Sequence, residues 1–102
     1  MSAAERRSIQ IADTKDYVYH RDEGVCRTCG GMVEYPGVLA HHVPKSKPNL
    51  KMWGEQVIHH PDNLALVCRQ PQCNDAQIVQ AHTVEGAALL AAIRKQIMEA
   101  DE

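Results

Sequence analysis

Along the chain the apolar positions keep a helical spacing most clearly near the end, where Leu89, Leu90, Ile93 and Ile97 share one stripe. Thr83 stands where it can cap that segment, so the pattern predicts a last helix over residues 83–102. At the start, Ser2 and Glu5 have the spacing of a capping box and predict a short helix reaching Ile11. Asp13 and Thr14 can cap a second short helix over 15–21, stopped near Gly24. Segments 33–35 and 38–43 read as strands, with Pro36-Gly37 as the turn that joins them. Residues 44–62 carry no period and are punctuated by Pro44, Pro48, Gly54 and Pro61, which predicts a long loop. A short apolar run at 64–67 and a helix over about 73–81 complete the reading. There is no internal repeat and no low-complexity tract.

Composition changes this picture in one respect. The chain has 102 residues, 44% of them hydrophobic, but no Phe, one Trp and three Tyr. Aromatic side chains usually supply much of a core's buried area, so a domain this small and this poor in them calls for a metal or disulfides. Four cysteines are available. No apolar run reaches membrane-spanning length, and the N-terminus lacks the apolar core of a secretory signal. The expectation is a soluble, cytoplasmic protein with no membrane partner and with reduced thiols. The net charge of −2 does not advertise a nucleic-acid binder. The charge is uneven, however: Glu99, Asp101 and Glu102 crowd the end, while Lys45, Lys47 and Lys51 lie together in the middle. That trio can serve phosphate contacts or be an ordinary solvated loop.

Cys26-x2-Cys29 and Cys68-x4-Cys73 form a two-knuckle arrangement, each knuckle offering two thiolates. Zinc favours four tetrahedral ligands, and a closed four-thiolate site is structural because no position stays open for substrate. Disulfides are the alternative, but nothing in the sequence points to export. The implied job of the metal is to fix the first hairpin against the second strand and the helix after it.

Between and beside the knuckles lie His41-His42-Val-Pro-Lys45, His59-His60-Pro-Asp-Asn63-Leu64 and Cys73-Asn74. The order Arg21-Asp22-x-Gly24-x-Cys26-x2-Cys29-Gly30, His41-His42, Asn63-Leu64, Cys68, Cys73-Asn74 resembles an HNH endonuclease with embedded zinc knuckles. The resemblance covers residues 21–75, about half the chain. It implies an α+β fold: a ββα-metal motif with a four-cysteine zinc site, flanked by N-terminal and C-terminal helices. A single domain would then span 1–102, with an N-terminal helical segment at 1–23, the knuckle core at 24–81 and the last helix at 83–102.

The resemblance also implies roles. His42 corresponds to the general base, His41 to the first ligand of a catalytic ion, and Asn63 to the residue holding the base in place. Asn74 falls where the family often has a histidine ligand. The chemistry is coherent in its own right: phosphodiester hydrolysis needs an activated water, which a neutral imidazole can supply near pH 7. It also needs a cation to absorb charge on the phosphate. An amide oxygen at Asn74 suits Mg²⁺ or Mn²⁺ better than tight zinc binding, with Ni²⁺ or Zn²⁺ as other candidates. Neighbouring strand residues point to opposite faces, so His41 and His42 can share a site only where the strand is irregular. Lys45 and Arg69 flank the site as candidate phosphate contacts. His59 and His60 read as loop residues, and His20 and His82 as surface ones.

Read plainly, Asn63 can be a turn residue, Asn74 a helix cap, and the His41-His42 pair a strand-end feature. The leading expectation is a metal-dependent endonuclease that cuts or nicks DNA. It resembles stand-alone family members of phages and mobile elements, which work within DNA-processing assemblies. A zinc-stabilised module of the same fold that only binds nucleic acid or protein is the second. A zinc-ribbon adaptor that docks through Leu89, Ile93 and Ile97 is the third.

Overall fold

In the computed structural model, which describes residues 3–100, the elements follow in this order: α1 (Ala3–Arg21), β1 (Val38–His41), α2 (Lys47–Trp53), α3 (Glu55–Ile58), a 3-10 turn (Pro61–Asn63), β2 (Leu64–Val67), α4 (Pro71–Asp75) and α5 (Val84–Ala100). This is a small α+β arrangement around a two-stranded sheet. No helix among the described residues is long and apolar enough to cross a membrane.

The N-terminal segment is one helix and not two. Its 19 residues contain neither Gly nor Pro. Asp13 and Thr14 sit inside it, where each costs under ~1 kcal/mol against alanine, less than stopping one helix and nucleating another. Ser2, half of the expected capping box, lies outside the described residues. His20 and Arg21 occupy the last turn, where positive charge complements the helix dipole.

The strands also pair differently from expectation. β1 ends at His41, short of Val43, and runs antiparallel to β2 with Val38 opposite Val67 and His41 opposite Leu64. Residues 33–35 form no strand. Glu34 and Tyr35 are exposed and Pro36 has no N–H to give, whereas all four residues of β2 are buried and apolar, so β1 gains more by pairing there. The hairpin in this region belongs to the first cysteine knuckle, closed by a bridge between Val25 and Met32. Gly37 has φ 74°, and a Cβ there would collide with Leu66 and Val33, so the chain can approach β2 only with glycine.

Strand alternation gives the sheet two jobs. Leu39, Leu64 and Leu66 pack with Val18 and Tyr19 of α1. On the opposite face Ala40 and Val67 pack with Cys26 and Cys73. A third apolar cluster joins Val43, Val57 and Ile58 to Leu90 and Ile93 of α5, with Leu89 and Ile97 at its margin. The stripe of α5 therefore faces the core, which removes the support for an adaptor that docks through it.

Residues 44–62 hold elements where the sequence predicts a loop. Ser46 caps α2 through its Oγ, Pro48 lies in the first turn, and Gly54 closes the helix. At seven and four residues, α2 and α3 are too short to repeat a helical period. The last two elements divide in the same way. α4 starts at Pro71 and ends at Asp75, well short of residue 81, whereas α5 matches expectation, with Thr83 Oγ1 accepting from Gly86 N–H at 3.1 Å.

A buried carboxylate ties α1 to the sheet. Asp22 Oδ2 accepts from Leu66 N–H at 2.9 Å and from Arg21 Nη2 at 3.1 Å. Its Oδ1 accepts from Arg21 Nε and Arg27 Nη1, each at 2.9 Å. Arg21 reaches on to the carbonyls of Pro61 and Leu64 at 2.8 and 2.6 Å. Burial resists charge on Asp22, but the bonds from Arg21, Leu66 and Arg27 outweigh it and hold the carboxyl below its usual range. Asp22→Ala would strand Leu66 N–H and unbalance Arg21, an expected loss of about 2–4 kcal/mol in denaturant unfolding. A carboxylate with a depressed folded pKa contributes fully above the unfolded value of 3.8 and loses its contribution as pH falls through the folded one. The gap between wild type and Asp22→Ala should therefore narrow below about pH 4.

Candidate functional site

The four cysteines, two of them distant in sequence from the other two, come together. The sulfurs of Cys26, Cys29, Cys68 and Cys73 all lie within 4.8 Å of one another, and none is in a disulfide. Cys29 Sγ and Cys68 Sγ are 3.9 Å apart. Tetrahedral zinc with bonds of ~2.3 Å requires sulfurs about 3.8 Å apart, so the cluster fits such an ion. Cys26 and Cys29 occupy the knuckle hairpin, Cys68 follows β2, and Cys73 sits in α4. Pro71, which falls within the wider second spacing, begins the short helix that presents Cys73.

The surrounding backbone favours charge on one sulfur. Burial opposes ionisation of Cys26, yet backbone N–H groups of Cys29, Cys68 and Thr28 aim at its sulfur and bring its pKa down to about 6. Cys73 is pushed up to about 12 by burial and by the other thiols. One thiolate forms easily here and a fourth does not; a divalent cation would let all four carry charge together. The two knuckles are also fastened to each other. Thr28 Oγ1 donates to Cys73 O at 2.7 Å and accepts from Gln77 Nε2 at 2.8 Å.

At the end of β1 the pleat stops after His41, and His42 is the first residue of a bend. The strand-alternation objection to a shared site thus applies only up to His41. His42 is pinned by its backbone: its N–H donates to Asn63 O at 2.8 Å and its carbonyl accepts from Val79 N–H at 2.6 Å. Its ring Nδ1 lies 3.0 Å from Gln77 O. A carbonyl only accepts, so Nδ1 carries a hydrogen, and in the neutral form of the ring the lone pair is on Nε2.

Asn63 is one of two buried polar residues among those described and is fully enclosed. Its Oδ1 accepts from Val43 N–H at 2.9 Å, while Nδ2 donates to Val43 O at 3.1 Å and Ile58 O at 2.7 Å. It is more than a turn residue: its side chain clamps the residue after His42 and makes no hydrogen bond to the His42 ring. Asn63→Ala would leave three backbone groups without partners, with an expected cost of about 2–4 kcal/mol in chemical denaturation. A loss within ~0.5 kcal/mol of zero would mean that these three bonds add nothing to stability.

His41 is half-buried. Burial first, then the nearby charges of His59, Lys45 and His42, bring its pKa down to about 4, so it is neutral at pH 7. Its Nε2 lies 3.0 Å from His59 Nδ1. The sequence reads His59 as a plain loop residue; nothing in its surroundings along the chain signals this contact across 18 positions. Its neighbour His60 does serve the loop, capping the 3-10 turn by accepting from Asp62 N–H at 3.1 Å. Asn74 lies inside α4, which packs on β1, and so does not cap the helix start. Lys45 and Arg69 are exposed, the former near enough to act on His41.

A comparison with protein-family models, with curated proteins and with solved structures finds no match for this chain.

Proposed function

We propose that this chain is a metal-dependent endonuclease of the HNH type that hydrolyses phosphodiester bonds of DNA, with His42 as the general base. The observation that carries the reading is the His42 ring: Nδ1 is committed to Gln77 O, which leaves Nε2 as the proton acceptor. In this reading Nε2 takes a proton from the attacking water. The resulting imidazolium keeps Gln77 O on its other nitrogen, so the ring stays oriented and its charge is partly offset. Asn63, through Val43, and Val79, through the His42 carbonyl, hold the bend that aims the ring.

The antiparallel pair β1 and β2 followed by α4 has the order of elements that a ββα-metal motif would use, and the four thiolates would hold a structural zinc beneath it. His41, neutral at pH 7, offers a lone pair to a catalytic ion, with Asn74 as the second donor that the resemblance suggests. When bound, such an ion would supply positive charge to the phosphate and its leaving oxygen. Lys45 and Arg69 would meet phosphates on either side.

The net charge of −2 favours the inactive binding module as the second reading. The test separates the two. Zinc-loaded protein incubated with supercoiled plasmid in Mg²⁺, Mn²⁺, Ni²⁺ or Zn²⁺ is expected to give open circles with at least one ion and none with chelator. Salt-sensitive binding without cleavage in any of them would select the binding module.

A further inference from the structure

We propose that His59 is a second nitrogen ligand, beside His41, of a divalent transition-metal site at the end of β1, and that this site prefers ions of the nickel and zinc class to magnesium. The proposal deepens the nuclease reading by naming the ion's ligands, and it relies on that reading only for the reaction the ion would serve.

The separation of the two nitrogens is that of a ligand pair. His41 Nε2 and His59 Nδ1 are 3.0 Å apart, with ring planes at 77°. Two nitrogens bound at about 2.1 Å lie about 3.0 Å apart when they are cis in an octahedral shell and about 3.4 Å apart when tetrahedral. The two nitrogens thus stand at a spacing that one ion can bridge, once the rings turn from facing each other toward it. His59 caps the end of α3 and is exposed, so an ion can reach it from solvent. The adjacent His60 is engaged elsewhere, its Nδ1 accepting from Asp62 N–H.

No third His, Cys, Asp or Glu joins this pair among the described residues. An ion there would keep several positions for water or phosphate, as a Lewis-acid site requires and a structural one does not. Imidazole nitrogen favours Ni²⁺ and Zn²⁺, whereas Mg²⁺ demands oxygen. The competing account is a single N–H···N hydrogen bond between the two rings.

Histidine side-chain ¹⁵N spectra of the zinc-loaded protein decide between them as a second equivalent of Zn²⁺ is added. The expected result is that His41 Nε2 and His59 Nδ1 move together to metal-bound shifts, while the same amount of Mg²⁺ moves neither. His59→Ala should weaken binding of the second equivalent at least about ten-fold and leave the four-cysteine site and the melting temperature unchanged. His20→Ala should change nothing. A response at His41 alone, at neither ring, or wild-type affinity in His59→Ala would overturn the proposal, and an equal response to Mg²⁺ would overturn its ion preference. Paired shifts without DNA cleavage would sink the nuclease reading and leave this site standing; cleavage without paired shifts would do the reverse.

Discussion

Stripping the cation from the four-cysteine cluster is expected to unfold the chain. Among the described residues the largest fully buried side chains are Ile, Leu and Val, with no aromatic among them, and their apolar interior is divided into three small clusters. One of those clusters consists of Cys26 and Cys73 against Ala40 and Val67, so the four-cysteine cluster is itself part of the core. Four sulfurs within 4.8 Å that all carry charge would repel one another without a cation between them. Structural zinc in finger peptides contributes roughly 10–16 kcal/mol of apparent binding free energy, against a net stability of about 5–15 kcal/mol for a whole domain. Circular dichroism after treatment with a strong chelator should therefore lose both helical signal and the cooperative melt, and added Zn²⁺ should restore them. Cys26→Ser should behave like the stripped protein. A cooperative melt that survives complete metal removal would mean that the interior suffices alone.

The second large effect falls on activity. His42→Ala is expected to lower the rate of DNA cleavage by about 10²–10⁴, the usual share of a positioned general base, equivalent to about 3–5 kcal/mol in the barrier. The fold should survive, because the bonds that pin residue 42 use its backbone N–H and carbonyl, which alanine retains. Only the ring contact to Gln77 O disappears. A melting temperature within a few degrees of wild type would show that the loss is chemical. An equal loss in His82→Ala, a variant at an exposed position, would show instead that the preparation is losing activity for other reasons.

The four cysteines were legible because knuckle spacing is a local signal that survives whatever the chain does between the pairs. The last helix was legible for a similar reason: at 17 residues it repeats its apolar stripe several times and carries its own cap. The partner of β1 was not. Residues 33–35 and 64–67 both look like strands in isolation, and only the burial of Leu64, Leu66 and Val67 between α1 and the cysteines decides which one pairs. α2 and α3 escaped because Pro48 and Gly54, which look like loop punctuation, are a helix start and a helix stop. In the site, His42 and Asn63 stand out from their neighbours in the sequence. Gln77 and His59 do not, because the first acts through its main-chain carbonyl and the second through a contact made only when the end of α3 comes beside His41. Asp22 is of the same kind: Arg27, Pro61, Leu64 and Leu66 converge on the Asp22–Arg21 pair from separate segments.

Side-by-side nicking of supercoiled plasmid by metal-loaded wild type and His42→Ala, purified in parallel, is the most direct test of the central claim. Ion-dependent open circles are expected from the wild type, and at least about a hundred-fold fewer from the variant at equal stability. Equal cleavage by both, or none by a folded, metal-loaded wild type in any of the four ions, would contradict it.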